Sequence, residues 1–207
     1  MRPASRDGIG KVYMGREISQ VMGYQGARWL ERDTREEEER TDLLIDSLSV
    51  APDAVVADIG AGTGYFTFPL ARRVPEGRVM AVDIQPEMLD IIARRMERGG
   101  VTNGVPVQGS IESPELDSST VDVVLMVDVY HEFSHPYEMM RSVVEALKPG
   151  GHVVLIEYRA EDPSVPIKPL HKMSEAQARK EMAAVGLEWI ETKDFLPQQH
   201  FMVFQKP

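Results

Sequence analysis

The chain has 207 residues, with 23 Lys and Arg against 33 Asp and Glu, and a formal net charge of −10. A hydrophobic fraction of 43% with 27% charged residues is ordinary for a globular chain, which excludes a disordered, collagen-like or disulfide-stapled mini-protein. The absence of cysteine removes thiolate nucleophiles, disulfides and Cys-ligated zinc, and the acidic balance argues against a broad nucleic-acid surface.

This length fits one domain with an N-terminal appendage. No apolar run approaches the roughly 20 residues that span a bilayer, and MRPASRDGIGKVYMGREIS lacks the apolar core of a signal peptide. The expectation is a cytoplasmic protein with no membrane span and no nucleic-acid partner; a homodimer is left open. Residues 31–42, ERDTREEEERTD, hold seven acids and three arginines and read as a solvated helix face.

From Pro52 onward, strands and helices alternate. Ala54–Ile59 (AVVADI) is a short apolar strand ending in a glycine-rich turn, and Thr63–Val74 reads as a helix that Pro69 would kink or split. Arg78–Asp83 is a second strand, followed by a helix from Pro86 with Met88, Ile92 and Met96 on one face. Val105–Gln108 is a weak strand. Val121–Val127 (VDVVLMV) is almost wholly apolar, as a strand buried on both faces should be. Pro136–Leu147 is a helix stopped by Lys148-Pro149-Gly150-Gly151, with Met140, Val143, Val144 and Leu147 on one face, and His152–Tyr158 is a fifth strand. Ser174–Val185 starts with capping-box spacing at Ser174 and Gln177. Leu187–Leu196 and His200–Lys206 are joined too tightly to be anything but antiparallel. The expected fold is α/β: a doubly wound, mostly parallel seven-stranded sheet closed by a C-terminal antiparallel hairpin.

Chemistry concentrates at the carboxyl edge of that sheet. Asp58-Ile59-Gly60-Ala61-Gly62-Thr63-Gly64 makes a turn in which a ligand can approach bare backbone. Asp83, at the end of the next strand, can accept hydrogen bonds from a ribose. Together they point to an adenosine-containing ligand at the switch point of the sheet. The spacing is G-x-G-x-G rather than the G-x-G-x-x-G of dinucleotide binders.

Residues 50–207 resemble the class I S-adenosylmethionine-dependent methyltransferases, nearest their quinone-methylase-like, small-molecule branch. The marks are DIGAGTGYF (58–66), AVDIQPEML (81–89), VDVVLMVDVYHEF (121–133), LKPGGHVVLIE (147–157) and the terminal hairpin. The resemblance implies that S-adenosylmethionine is the cofactor. Gly60, Gly62 and Gly64, with Tyr65 following them, would line its methionine part, and Asp58 would order that loop. Asp83 would hold the ribose and Ile84 pack on the adenine. Ser110, before Ile111, stands where the family usually has an aspartate for the adenine amino group. Asp128 marks where backbone groups usually meet the cofactor's amino group.

Methyl transfer is an in-line displacement that mainly needs alignment, with a base only where the acceptor must lose a proton. Tyr130-His131-Glu132-Phe133 follows the fourth strand, beside the expected methyl group. His131 is the candidate base and Glu132 its orienter or alternate, against a reading in which His131 only shapes the pocket. His131-Glu132-Phe133-Ser134-His135 matches H-E-x-x-H, but Pro136 biases His135 out of the helix that zinc proteases require. No metal ligands are assigned on that basis, though ion-assisted transfer by these side chains stays open.

Residues 1–50 are read as a helical extension capping the acceptor site of the methyltransferase domain at 51–207. Tyr13, Trp29, Arg32 and Tyr130 are the candidate substrate contacts, and an arginine there would favour an acidic acceptor. The expected activity is methyl transfer to a small-molecule acceptor, with O-methylation slightly preferred. The rivals are a peptide or protein carboxyl acceptor, a nicotinamide-dependent oxidoreductase on a similar sheet, and a silent cofactor binder.

Overall fold

The structure, a computed structural model, describes residues 3–207. Its first elements are the antiparallel strands β1 (Gly8–Tyr13) and β2 (Arg16–Ser19), followed by the short helices α1 (Ala27–Leu30), α2 (Arg35–Glu39) and α3 (Thr41–Asp46). The N-terminal part is therefore a hairpin followed by helical turns, not a helical extension. Strict i, i+4 apolar spacing is absent from residues 8–19, and Gly10 and Gly15 take positive φ, which interrupts a helix and suits a tight hairpin.

The rest alternates as the sequence suggests: β3 (Val55–Ile59), α4 (Thr67–Arg73), β4 (Arg78–Asp83), α5 (Pro86–Gly99), β5 (Gly104–Gln108), β6 (Val121–Val127), α6 (Pro136–Ala146), β7 (Leu147–Tyr158), α7 (Glu175–Ala183), β8 (Glu188–Lys193) and β9 (Gln199–Gln205). The main sheet runs β5-β4-β3-β6-β7-β9-β8, with only β9 reversed against its neighbours. The chain leaves β3 for one flank and returns at β6 to build the other. A crevice therefore opens beyond the carboxyl ends of β3 and β6, where the strand order reverses.

Strand β6 shows why the sheet sits between two helical layers. Val124 and Met126 point into a cluster with Met139, Met140 and Val143 of α6 and Met182 of α7. Val123 and Leu125 point the other way, toward Leu44 and Ile45 of α3 and Leu70 of α4. Each such side chain stabilises the fold by roughly 1.5–3 kcal/mol when fully buried.

Local departures have local causes. Helix α4 begins at Thr67 rather than Thr63, because residues 61–66 turn beneath the crevice. Pro69 then falls in the first helical turn, where its missing N–H costs nothing and no kink results. Lys148–Gly151 lies inside β7 at an irregularity of the ladder, with Gly150 at φ 77°, so it interrupts the pairing without ending the strand. The Ser174 hydroxyl accepts from Gln177 N at 3.2 Å, but the Gln177 side chain turns to Glu181, leaving half a capping box. Residues 31–42 are a solvated face only in part: Glu31, Asp33, Thr34, Glu36, Glu37 and Asp42 are exposed, but Arg35, Glu39 and Thr41 are buried. No helix among the described residues is long and apolar enough to cross a membrane.

Candidate active site

A cavity of about 480 Å³ fills the crevice, within the roughly 300–1,000 Å³ of small-molecule sites. One end lies under the glycine turn. Gly60 N and Ala61 N both donate to Val82 O, at 2.8 and 3.0 Å, which ties the turn to the end of β4. Asp83 then clamps it. Its Oδ2 accepts from Gly62 N and its Oδ1 from Gln85 N, both at 2.9 Å. Burial raises the Asp83 pKa, and these two backbone donors hold it back. Gly60 sits at φ 74°, where a β-carbon would also overlap Val129, so the position needs glycine.

Asp58 lies behind the turn. Its Oδ2 accepts the Thr67 hydroxyl at 2.6 Å, fixing the start of α4, and burial pushes the carboxyl up to about 6. Asp128 ends β6 at φ 51° and lines the cavity. Its Oδ2 accepts from Gln199 Nε2 at 2.7 Å, while Oδ1 is buried without a partner among the described residues. Burial, with Glu39 and Glu157 nearby, lifts its pKa well above the usual carboxylate range. Ile84, Gly109, Ser110 and Ile111 line the far wall. The Ser110 hydroxyl is engaged inside its own loop, accepting from Ser113 N at 3.0 Å.

Residues 21–35 wall the cavity on the N-terminal side. Gln85 holds this strap, accepting from Tyr24 N at 2.7 Å and donating to Met22 O at 3.0 Å. Arg35 Nε donates to Glu39 Oε2 at 3.0 Å, and the Tyr158 hydroxyl donates to Glu39 Oε1 at 2.9 Å. That buried network is where the supposedly solvated run is used. Leu30, too, projects to within 2.7 Å of where a β-carbon on Gly62 would stand.

The other end of the cavity is built around His131, in a helical turn at Tyr130–Glu132. His131 is 2% exposed. Its Nδ1 pairs with Glu157 Oε2 at 2.6 Å, and its backbone N donates to Glu157 Oε1 at 3.2 Å. Arg16 Nη1 and the Ser19 hydroxyl donate to its carbonyl, at 3.2 and 3.3 Å. Its Nε2 meets Nδ1 of His171 at 3.1 Å. Burial works against the His131 imidazolium, but the Glu157 carboxylate outweighs it and the pKa is raised. Burial and the His131 charge lower His171. Glu132 accepts from Met22 N at 3.1 Å, and burial pushes it up to about 7.

Several expected site residues stand elsewhere. Tyr130 is fully buried and donates to Glu181 Oε2 at 2.7 Å, away from the cavity. Glu181 also takes Arg16 Nε at 2.7 Å. Tyr13 lies on β1, outside the lining. Arg32 stacks on Trp29 at 4.0 Å and pairs with Glu38 and Glu39, so its charge is spent on the strap; Trp29 does line the cavity. Gly64 and Tyr65 fall behind the turn, the Gly64 α-carbon facing Phe68 and Ile92, and Tyr65 lying under Arg35 at 4.3 Å. Glu157, not Glu132, orients His131. Its one sequence signal is a carboxylate in the otherwise apolar run VVLIE; nothing near His171 marked it.

Residues 56–151 match the family model described as a methyltransferase domain. The ubiquinone/menaquinone biosynthesis C-methyltransferase UbiE of Klebsiella pneumoniae is 30% identical over 147 residues, covering 70% of this chain and 57% of that protein. An uncharacterized methyltransferase-like protein of Schizosaccharomyces pombe is 28% identical over 156 residues, covering 73% and 56%. The crystal structure of a SAM-dependent methyltransferase from Aquifex aeolicus superposes with a TM-score of 0.84 at 19% identity, covering 90% of this chain and all of that one. The chain has the fold of the class I methyltransferases, and its residues 56–151 match a methyltransferase domain. It spans about half the length of the curated relatives it matches.

The matched methyltransferase domain and the fold imply S-adenosylmethionine, and the residues present fit it. The turn offers bare backbone at Gly60 and Gly62, the Asp83 carboxylate lines the cavity beside them, and Asp128 Oδ1 is an unpaired buried acceptor for a cationic group.

Proposed function

We propose that this class I methyltransferase moves a methyl group to a small-molecule acceptor bearing an ionisable hydroxyl. The observation that carries the reading is one continuous cavity, with the glycine turn and Asp83 at one end and the Glu157–His131–His171 chain at the other. S-adenosylmethionine supplies an electrophilic methyl on a sulfonium when bound. Gly60, Gly62, Asp83, Ile84, Ser110, Ile111 and Asp128 would hold it.

The chain's own residues would do the rest. His131 would take the acceptor's proton at Nε2, with Glu157 holding the Nδ1 proton and setting the ring's tautomer and orientation. His171 would pass that proton to the cavity mouth. Met22, Leu30 and Trp29 would exclude water and align the acceptor. The wall at residues 21–35 supports a small molecule over a peptide. Removing a hydroxyl proton from an aromatic acceptor activates both the oxygen and the adjacent ring carbon. O-methylation is slightly preferred; the relatives named as C-methyltransferases support the carbon alternative.

The test is calorimetric titration with S-adenosylmethionine and S-adenosylhomocysteine, with NAD as control, followed by labelled-methyl assays on phenolic and quinol acceptors. Micromolar binding of the adenosyl ligands alone supports the reading. Binding of NAD alone overturns it.

A further inference from the structure

His131, Glu132 and His171 form a cluster whose shape goes beyond a proton relay. His131 Nε2, His171 Nδ1 and Glu132 Oε1 stand 3.1, 3.8 and 3.9 Å from one another. A point about 2.1 Å from all three lies inside that triangle, which matches the roughly 2.0–2.2 Å bonds of divalent zinc-like ions to imidazole nitrogen and carboxylate oxygen. We propose that these three side chains bind one divalent transition-metal ion, of the zinc, cobalt or iron class, with its remaining positions open to the cavity.

Three further observations point the same way. Two ring nitrogens that face each other at 3.1 Å cannot both present lone pairs to empty space, so a proton or a cation must lie between them. His131 carries a carboxylate on its other nitrogen, Glu157 at 2.6 Å, the brace that metal-bound histidines almost always have. Glu132 is buried, with Met22 N as its only hydrogen-bond donor among the described residues, which leaves acceptor capacity toward the cavity. Nearby cations are otherwise committed: Arg16 to Glu181, and Lys168 to Asp7 at 2.6 Å. Two imidazoles favour a borderline transition metal over magnesium or calcium.

The H-E-x-x-H run contributes His131 and Glu132 but not its second histidine. His135 takes φ −128° and ψ 65° ahead of Pro136 and turns to Ser134, so the second histidine comes from residue 171. Such an ion would act as a Lewis acid, making an acceptor hydroxyl bound to it more acidic. The inference rests on the reading above for where the acceptor sits, and it alters one feature: His131 Nε2 holds a cation in place of a proton.

The experiment is titration of the chelator-treated full chain with cobalt(II), read by visible absorption, and with zinc(II), read by calorimetry. S-adenosylhomocysteine affinity is measured on the same samples. One cobalt per chain is expected, with affinity falling at least tenfold in His171→Ala and Glu132→Gln. A drop of about tenfold is expected in Glu157→Gln, which keeps the shape but weakens the brace. All three variants should retain S-adenosylhomocysteine binding, which reports the fold. Protein that binds the adenosyl ligand but neither ion, or binds the ions equally well in His171→Ala and Glu132→Gln, overturns the metal site and leaves the proposed function standing. Ion binding with the expected variant losses, but no adenosyl ligand, supports the site and fails the function.

Discussion

The end of the cavity under the glycine turn is made largely of backbone from one continuous stretch, residues 58–64, clamped by the end of the neighbouring strand. The end around His131 is held by side chains from segments far apart in the chain: His171 in the lining and, behind it, Glu157 of β7 and Arg16 and Ser19 of β2, with Glu181 behind Arg16. A backbone cradle depends on φ values and on the absence of β-carbons, so a change there shows up as lost ligand binding. A side-chain assembly depends on buried charges satisfying each other, so a change there shows up first as lost stability.

Substitutions at the two ends test that contrast. Glu181→Ala should have the largest effect, because it strands the mostly buried Arg16 and the Tyr130 hydroxyl; breaking a buried pair costs roughly 3–5 kcal/mol. Urea unfolding would measure it, and a loss under 1 kcal/mol would show that water replaces the pair. Asp58→Asn should matter nearly as much, but only above mildly acidic pH. The folded carboxyl titrates at about 6 against an ordinary 3.8, so the unfolded chain releases this proton first. Wild-type stability should therefore drop relative to Asp58→Asn as pH rises from about 4 to 6, by something on the order of 2–3 kcal/mol, and the gap should then stay constant. A pH-independent gap would mean that Asp58 is solvated.

Asp83→Ala acts on ligand binding. S-adenosylhomocysteine affinity should fall at least tenfold, about 1.4 kcal/mol or more, since the Gly62 clamp and the proposed ribose acceptor go together. Calorimetry that finds unchanged affinity would remove the ligand from this end. Arg32→Ala should do least. Its partner Glu38 is well exposed, and its buried partner Glu39 keeps Arg35 and the Tyr158 hydroxyl, so stability should fall by only about 1 kcal/mol. The acceptor KM should not move, and a large rise would return Arg32 to the substrate.

The cradle was legible because its signals are local. DIGAGTG and Asp83 stand at the ends of recognisable strands, and the structure brings Gly60, Gly62 and Asp83 together as expected. The end around His131 was half legible. His131 followed a strand that had to be buried, but its partner looked like the adjacent Glu132. Only the parallel pairing of β6 and β7, with Val127 opposite Ile156, sets Glu157 beside it. The charged run at 31–42 misled for a related reason. Burial of Arg35 and Glu39 depends on Tyr158 meeting Glu39, a contact 119 residues distant that no local pattern announces.

By itself, the sequence determined the layered sheet, the switch-point crevice and the cradle within it. Alternating apolar strands, a proline-started helix and a glycine turn act over a few residues and leave little choice of conformation. Tertiary structure alone decided which side chains face the cavity beside His131. It withdrew Tyr130 and Arg32, brought in His171, and set Glu157 behind His131. Those positions depend on strand register and on where a long connection lands, and a polar side chain there is stable only once its distant partner arrives to satisfy it.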